Sequence, residues 1–415
     1  MTALLAPDPA VPQRDALLDE RRMGALLGTA LTGAAADGCE RVNAKYRVGD
    51  SLRVAYRVTA GGASHTLAGR TFAGRSASVY GRAAAASRAD GPLPAVLHVP
   101  ELETVFWTFP NDRRLSGLGL LDGRSGALDR LVGQAVARTR LMAYAPERAA
   151  TAACLDAGGR VLAYVKVHWD AAERELASAR AAAAAVDPAD PNLRLPRVLG
   201  ASPADGALVL EPLSGLRLDG LATAELGPAL QALGAGLATL HAARPLPSRG
   251  FDRLDTDRLT LAAEMIGRVR PDCERAATGV LANLLERTAD GAGAPVHLHG
   301  DANLRNALLD GRRIALVDLE DAAAGPAAAD LGFVLAGLLA ARAQGRLVAT
   351  EQDALAAALQ TGYREVGHVP DPRALRWHTA ASALARVAVP AVGRVRPAVL
   401  ARLEPLLRAA EELVA

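Results

Sequence analysis

Four polar side chains between Val296 and Gly332 have the types and the spacing that phosphoryl transfer needs. They are Asp301, Asn306, Asp318 and Glu320. An aspartate close to a hydroxyl group can take its proton, while an asparagine and a second aspartate can hold a divalent metal ion on phosphate oxygens. The stretch therefore predicts a metal-dependent phosphate site.

A β-hairpin is predicted to bring these side chains together. Two short apolar runs, Asn306–Leu309 and Ile314–Val317, are joined through Asp310 and Gly311, a pair typical of tight turns. Such a hairpin places its first residue beside Asp318, which follows its second strand. We therefore expect the two metal-binding candidates next to one another, with the aspartate of the upstream loop close by.

Lysine is rare in this chain, and its positions are informative. Of the 47 basic residues only Lys45 and Lys166 are lysines, and the other 45 are arginines. Lys166 lies in Val161–His168, a run with the composition of a strand. Because an ammonium group and a guanidinium group are not interchangeable at tight sites, we expect a specific contact at Lys166.

The run after this strand predicts a helix that supplies a partner for the lysine. Asp170 is a candidate N-cap, with Glu173 three residues later as in a capping box. Glu175 lies further along and is free to face the strand. A strand lysine held by a helix glutamate points its ammonium at nucleotide phosphates. Glu175 is therefore the predicted partner of Lys166, and Glu173 is expected to be a capping or solvent-exposed residue.

A hinge is predicted further along the chain. Ala207–Gly215 begins as an apolar strand and contains Glu211, Pro212 and Leu213. Backbone groups of Glu211 and Leu213 can pair with the edge of an adenine ring, and the proline limits flexibility. We therefore assign Glu211 and Leu213 to the nucleotide site.

Strand patterns come before helical patterns, which predicts an α+β fold of two lobes with the hairpin at their junction. We divide the chain into an N-terminal α/β cap domain (1–135), a β-rich lobe with Lys166 (136–213) and a helical lobe with the catalytic and metal-binding motifs (214–415).

The cap domain has a strand layout that returns later in the chain. A helical pattern at Asp15–Leu27 comes first, and three strand patterns follow it, Val42–Tyr46, Leu52–Val58 and His65–Phe72. In the next lobe these correspond, in the same order, to Arg140–Tyr144, Ala152–Leu155 and Val161–His168. In this alignment Arg70 takes roughly the place of Lys166. Two interpretations stay open, a degenerate copy of the β-rich lobe or two unrelated antiparallel meanders.

Composition excludes several classes of protein. The chain has 415 residues and a formal charge of +2, so nothing indicates the strongly basic surface that nucleic acid requires. No apolar run reaches the ~18 residues of a membrane span, and no signal-peptide pattern is found near Met1. The three cysteines match no metal or redox spacing. These features predict a cytoplasmic protein with no membrane or nucleic-acid partner, and they give no indication of its oligomeric state.

The motifs together resemble those of a known group of kinases. In order, they are Lys166, His299-Gly300-Asp301, Asn306, Val317–Glu320 and Asp330–Gly332. The sequence from about Arg140 onwards is similar to the aminoglycoside phosphotransferase/choline kinase superfamily. The resemblance implies a protein-kinase-like fold, ATP or GTP as co-substrate, Mg²⁺ as cofactor and a small-molecule hydroxyl group as acceptor.

The resemblance also implies a role for each residue. Asp301 is expected to be the catalytic base, Asn306 and Asp318 to hold Mg²⁺, and Lys166, steadied by Glu175, to contact the nucleotide phosphates. Structural roles are expected for His241, His299 and Asp330, the last bracing the catalytic loop. For Glu320 a metal-binding role and a supporting role both stay open.

Two features depart from the superfamily pattern. No glycine-rich phosphate loop lies between the first two strands of the β-rich lobe, and Ala145–Arg148 stands there instead, which makes Arg148 a candidate phosphate contact. The N-terminal cap resembles that of maltokinase-like sugar kinases, which usually have glutamine at the position of Asn306.

The acceptor is less well determined than the reaction. Residues 340–415 contain more arginine than acidic residues, among them Arg373, Arg376, Arg386, Arg394 and Arg396, which favours a neutral or anionic acceptor. A sugar, an amino sugar and an aminoglycoside-like metabolite all stay open. The alternative function is a catalytically inactive nucleotide-binding regulatory relative, although such proteins typically lose the lysine or a metal ligand, and this chain has all of them.

Overall fold

The computed structural model describes residues 4–87, 93–122, 126–287 and 293–415. Two five-stranded antiparallel sheets come first, and a mainly helical region follows. The predicted α+β arrangement with a β-rich and a helical lobe is therefore confirmed.

The first sheet and its helices form the N-terminal unit, residues 4–108. Its elements are α1 (Arg14–Leu18), α2 (Glu20–Thr32), β1 (Gly38–Arg47), β2 (Ser51–Ala60), β3 (Ala63–Thr71), α3 (Ser76–Ala86), β4 (Val96–Val99) and β5 (Thr104–Thr108). The strand order is β1-β2-β3-β5-β4. The single helix predicted at Asp15–Leu27 is broken at Asp19, whose carboxylate accepts hydrogen bonds from the N–H groups of Arg21 and Arg22 and so starts α2.

The second sheet contains Lys166. Its region comprises α4 (Ala127–Val132), β6 (Arg138–Ala145), β7 (Ala149–Leu155), β8 (Val161–His168), α5 (Ala172–Ala185), β9 (Leu193–Arg194), β10 (Val198–Ser202) and β11 (Ala207–Leu210). The strand order is β10-β11-β8-β7-β6, and β9 belongs to another sheet. Side chains alternate along β8, so Val165 and Val167 are fully buried while Lys166 faces the opposite side.

The two five-stranded sheets have the same topology. In each, three strands form a meander, a helix follows, and the last strand returns beside the third. A side-chain contact also recurs. Tyr46 and the N–H of Gly49 donate to Asp8 (2.5 and 2.7 Å), as Tyr144 and the N–H of Glu147 donate to Asp112 (2.6 and 3.0 Å). These shared features favour a degenerate copy over two unrelated meanders.

The helical lobe surrounds the predicted hairpin. Its elements are β12 (Leu216–Arg217), α6 (Thr223–Ala242), α7 (Thr256–Val269), α8 (Glu274–Glu286), β13 (Val296–Leu298), β14 (Ala307–Asp310), β15 (Arg313–Leu316), β16 (Ala323–Gly325), α9 (Ala328–Ala343), α10 (Ala349–Val366), α11 (Pro372–Ser382), α12 (Val389–Gly393), α13 (Pro397–Leu400) and α14 (Leu403–Val414). A π-helical turn, Ala383–Ala388, joins α11 to α12. The hairpin β14–β15 pairs with β12 on one side and β9 on the other, so it lies where the lobes meet.

The N-terminal unit packs against both lobes. Leu52, Tyr56 and Phe106 share one apolar cluster with side chains of α7, α8 and α14. Ala55 and Ala68 share another with Val165 and Val167 of the second sheet. Full burial of one large apolar side chain is worth roughly 1.5–3 kcal/mol, so the contact with the helical lobe is substantial, while the contact with the second sheet is made through smaller side chains of the N-terminal unit. Among the described residues, no helix has both the length and the apolar character of a membrane span.

Candidate active site

A buried carboxylate shapes the catalytic loop. Asp330, at the start of α9, accepts hydrogen bonds from the N–H groups of His299 (2.7 Å) and Gly300 (3.0 Å). Its Oδ2 lies 3.2 Å from Nε2 of His241. Burial opposes ionisation, but the contact with His241 lowers the pKa of the Asp330 carboxyl group. Gly300 has φ 76°, and a Cβ there would lie 1.8 Å from the carbonyl oxygen of Asp321, so only glycine fits this bend.

The loop presents Asp301 to the cleft. Its Oδ2 accepts from the amide groups of Asn306 (3.1 Å) and Asn303 (3.3 Å). Its Oδ1 accepts from Nη2 of Arg386 (3.2 Å), and Nη1 of Arg253 lies 3.8 Å away. The carboxylate is thus fixed in orientation while its side chain stays 28% exposed, as a base that meets a substrate must be.

Arg386 is a site residue that the sequence did not reveal. It lies in the π-helical turn, is almost fully buried, and donates from Nη2 to the carbonyl oxygen of Gly300 (2.6 Å). Its guanidinium carbon lies 3.6 Å from the centroid of the Phe333 ring. Burial lowers the pKa of Arg386 to about 10, so it remains a cation at neutral pH. In the sequence, Arg386 is distinguished only as one of several arginines after residue 340.

The hairpin places Asn306 and Asp318 side by side, as predicted. The N–H of Val317 donates to the carbonyl oxygen of Asn306 (3.0 Å) across the hairpin. The amide nitrogen of Asn306 donates to Asp301, which leaves its amide oxygen to meet a cation. Asp318 has φ 69° and ψ 62°, a conformation that non-glycine residues rarely adopt outside functional sites.

Lys166 joins the two lobes. Its Nζ donates to Oε1 of Glu175 (2.5 Å) and to Oδ1 of Asp318 (2.8 Å). His168 Nε2 lies 2.7 Å from the other Glu175 oxygen. Burial alone would lower the pKa of Lys166, but the carboxylates of Asp318 and Glu175 raise it above its usual value. Burial likewise opposes ionisation of Asp318, and Lys166 lowers its pKa, so the contact is an ion pair at neutral pH.

The predicted cap of α5 is wrong. The helix begins at Ala172, and its N-cap is Ala171, with no side-chain hydrogen bond to the first turn. Asp170 lies one position too early to cap it. Glu173 is exposed, as expected, and Glu175 faces the strand. The first-turn N–H groups of α5 are therefore not satisfied by either residue of the predicted capping box.

Glu320 lies at the edge of the cleft beside the β6–β7 turn. Its Oε1 is 3.3 Å from Nη2 of Arg148 and 3.8 Å from Nη2 of Arg174. One carboxylate oxygen each of Glu320 and Glu175 and one imidazole nitrogen of His168, all possible metal ligands, also lie within 4.8 Å of one another. The pairing with two arginines favours the supporting role for Glu320, and it places Arg148 over the cleft.

The hinge residues lie beside the second sheet. The Glu211 carboxylate accepts from Nε of Arg197 (2.8 Å) and lies 3.6 Å from Arg194. The N–H of Glu211 donates to the carbonyl oxygen of Arg197 (3.0 Å). In the described part of the chain, no hydrogen bond reaches the Glu211 carbonyl oxygen or the Leu213 N–H. These two backbone groups therefore keep unused hydrogen-bonding capacity.

The site as a whole suits metal-dependent chemistry at phosphate groups. Asn306 and Asp318 offer an amide oxygen and a carboxylate, and Mg²⁺ prefers oxygen ligands. Lys166 adds a positive charge next to them, and Asp301 lies in the same loop as Asn306. The structure therefore brings together all the predicted catalytic, metal-binding and phosphate-binding residues, with Glu211 and Leu213 at the end of the adjoining sheet.

Comparison with known proteins agrees with this geometry. The model of the phosphotransferase enzyme family matches residues 153–378, more than half of the chain. The apo structure of a thermostable mutant of the aminoglycoside phosphotransferase APH(4)-Ia has 17% sequence identity and a TM-score of 0.50, and the match covers 68% of this chain and 97% of that one. A choline/ethanolamine kinase family protein from Mesorhizobium loti has 17% sequence identity and a TM-score of 0.45, and the match covers 66% of this chain and 87% of that one. The macrolide 2'-phosphotransferase MphH from Brachybacterium faecium has 19% sequence identity and a TM-score of 0.45, and the match covers 70% of this chain and 96% of that one.

No curated protein matches the chain. At these identities the solved structures show the fold alone, and the likeness to APH(4)-Ia confirms the predicted protein-kinase-like lobes. The family match confirms the predicted superfamily. The chain belongs to the phosphotransferase enzyme family.

Proposed function

We propose that the chain is a kinase that transfers the γ-phosphoryl group of ATP or GTP to a hydroxyl group of a small molecule. The observation that carries the proposal is the position of Lys166. It contacts Glu175 of its own lobe and Asp318 of the other, and so joins the predicted nucleotide site to the predicted metal site.

In this mechanism Asp301 orients the acceptor hydroxyl and takes its proton as the oxygen attacks the γ-phosphorus. The nucleoside diphosphate leaves with the electron pair of the broken P–O bond. Arg386 and the amide of Asn306 hold the Asp301 carboxylate in one orientation, which favours attack in line.

The nucleotide is held at both ends of the cleft. Lys166 faces its phosphates, with Arg148 above them in place of a glycine-rich loop, and the backbone of Glu211 and Leu213 meets the base. Mg²⁺, when held by Asn306 and Asp318, would neutralise negative charge on the phosphate oxygens. Glu175 fixes the direction of the lysine side chain.

Three further assignments belong to the same proposal. The domains are residues 1–135, a degenerate copy of the β-rich lobe, followed by 136–213 and 214–415. The protein is cytoplasmic, which agrees with its free cysteines, Cys39, Cys154 and Cys273. Its partners are the nucleotide and the acceptor, with no nucleic acid.

The activity is tested by following nucleotide turnover with Mg²⁺ over a panel of sugars and amino alcohols. Replacing Asp301 by asparagine keeps the shape and removes the base, so transfer should fall by about 10²–10⁴-fold while nucleotide affinity stays within about twofold. Titration with a fluorescent nucleotide measures that affinity. Retained transfer in Asp301→Asn would exclude Asp301 as the base. Tight nucleotide binding by the wild type without turnover on any acceptor would instead favour the inactive regulatory relative.

A further inference from the structure

A group of cations without acidic partners in the described part of the chain lies near Asp301. Its members, which we call the cation cluster, are Lys45, Arg305, Arg394 and Arg396. Lys45 lies near the end of β1, Arg305 in the catalytic loop, and Arg394 directly after α12. Strand β1 meets α12 here, because a Cβ placed on Gly393 would lie 3.8 Å from Lys45 Nζ. The π-helical turn that leads into α12 also contacts the catalytic loop, because Arg386 donates to the carbonyl oxygen of Gly300, so β1 and α12 meet near that loop.

The cation cluster differs from the other cations of the cleft. Arg386 binds Asp301, Arg253 binds Asp321, and Arg148 binds Glu320. In the described ranges, none of the four members of the cluster has a carboxylate within ion-pair distance. The site thus carries positive charge that the protein itself does not neutralise.

The members of the cation cluster also affect one another's pKa values through their like charges. Lys45, Arg305 and Arg394 are exposed at the surface, but partial desolvation by the surrounding protein and the nearby charge of Arg394 lower the pKa of Lys45. Burial, Arg394 and Arg305 lower the pKa of Arg396 to about 10. Partial desolvation and Arg305 likewise lower the pKa of Arg394, while the negative charge of Asp301 opposes this shift. Arg394 therefore lies within electrostatic reach of the catalytic carboxylate, and like charges are held together there at a cost that a bound anion would relieve.

We propose that the acceptor is a hydroxyl compound with an anionic group, a phosphate ester or a carboxylate, which binds to Lys45, Arg305 and Arg394 while its hydroxyl faces Asp301. This inference rests on the proposed phosphotransfer and adds the charge of the acceptor to it. It also gives the N-terminal unit a direct part in binding, since Lys45 belongs to that unit.

The proposal separates the acceptor classes by charge. An aminoglycoside-like metabolite or an amino sugar brings a cation into the cluster and is repelled. A neutral sugar gains nothing from it. An anion gains charge-assisted hydrogen bonds, which are the strong ones in proteins. Lysine suits such a contact because its ammonium group is a compact charge with three donors, and Lys45 is one of only two lysines in the chain.

The test uses matched acceptors and the full chain with ATP and Mg²⁺. A hexose and a triol are each supplied as the neutral alcohol, the phosphate ester, the carboxylate and the amine. We expect kcat/KM to be at least about tenfold higher for one or both anionic forms than for the neutral and amine forms of the same skeleton. The ester and carboxylate forms show which anion is preferred. Preference for the amine or the neutral form on both skeletons would overturn the proposal.

Variants then locate the binding group. Lys45→Met and Arg394→Met should each raise KM for the anionic acceptor about tenfold and leave KM for ATP unchanged. Arg82→Met is the matched control, because Arg82 is an exposed cation of α3 with no ion pair to any residue that the structure describes, and it should behave as wild type. If Lys45→Met alters KM for ATP and not for the acceptor, the cluster serves the nucleotide and the proposal is wrong.

The failure of the phosphotransfer itself gives a different result. In that case no acceptor is phosphorylated, and calorimetric titration of the phosphate esters in the presence of a non-hydrolysable ATP analogue still decides the inference. Binding that is weakened about tenfold by Lys45→Met supports the anion site. No binding of any anionic probe overturns it.

Discussion

At Lys166 one ammonium group donates to two carboxylates that come from different lobes, Glu175 and Asp318. The lysine side chain is only 15% exposed, so the space between the two acceptors is narrow. A guanidinium group is planar and wider, with its charge spread over three nitrogens. This geometry explains why lysine is kept here in a chain that otherwise uses arginine.

Lys166→Arg is therefore expected to impair transfer although it preserves the charge. We expect kcat/KM to fall roughly 10- to 100-fold, as for the loss of one charge-assisted hydrogen bond. Steady-state kinetics with a phosphorylated acceptor measures this. Arg180→Lys, at an exposed position of α5, is the reciprocal control and should have no effect. Wild-type rates in Lys166→Arg would refute the size argument.

At the scale of single residues, local sequence predicted some contacts and missed others. Val161–His168 is a strand with the bounds that were predicted, because β-branched residues alternate along it. Glu175 follows from the helix next to that strand. The contact of Arg386 with Asp301 joins residues 85 positions apart, and nothing local to Arg386 indicates it. Asp301 could be predicted as a base, but not the arginine that orients it.

Among the elements, the β6–β7 turn has the most unusual surroundings. Glu147 is buried there with φ 61°, and its carboxylate pairs with Arg113 (2.7 Å), Arg70 and Arg53 (3.6 Å). Burial opposes ionisation, but the pairing with Arg113 and Arg70 lowers the pKa of Glu147 below its usual 4.5. Arg70, at the position that corresponds to the lysine, thus fixes the turn of the other sheet. Neither sheet's sequence alone could predict this contact.

Glu147→Gln should destabilise the protein by about 2–3 kcal/mol at pH 7, less than for a fully buried pair because Arg70 and Arg113 are partly exposed. Since the folded state lowers the pKa of Glu147, its contribution is present above pH 4.5 and is lost as the pH falls through the folded-state value. The difference between variant and wild type should therefore shrink in acid.

Urea unfolding at pH 7 and at about pH 3 measures both effects. Glu40→Gln is the control, because Glu40 pairs with Arg57 at an exposed site (2.6 Å) and should cost less than ~0.5 kcal/mol. Equal stabilities of Glu147→Gln and wild type at pH 7 would contradict the role given to the cluster of arginines.

In the whole molecule, the N-terminal unit shares its core with the rest of the chain. Met23 and Leu52 lie in one apolar cluster with Ile266, Val280 and Leu407. The sequence predicted the first three strands of this unit as an antiparallel meander, but the boundary that it placed near residue 135 does not indicate such packing. Contacts between distant segments depend on how the lobes assemble, and periodicity within one segment cannot supply them.

A chain that starts at Phe109 should consequently fail to fold. Removing residues 1–108 exposes the apolar faces of α7, α8 and α14, which monomeric proteins rarely leave open to water. Soluble yield and the thermal transition of the truncated chain measure this, and co-expression of residues 1–108 as a separate chain should restore part of both. A truncated monomer that unfolds cooperatively within a few degrees of the full chain would show that the unit is dispensable.

The packing of the first sheet also affects how the cleft can move. Two lobes joined only at a hinge near Glu211 could rotate apart and widen the cleft. Here one face of the first sheet packs against the helical lobe and the other face packs against the second sheet. The first sheet is therefore a second connection between the two lobes, in addition to the hinge. We therefore expect the cleft to widen only if one of these two apolar contacts separates. If the chain is the kinase proposed above, we expect its substrates and products to pass through an opening of nearly constant size, which would limit how bulky an acceptor can be.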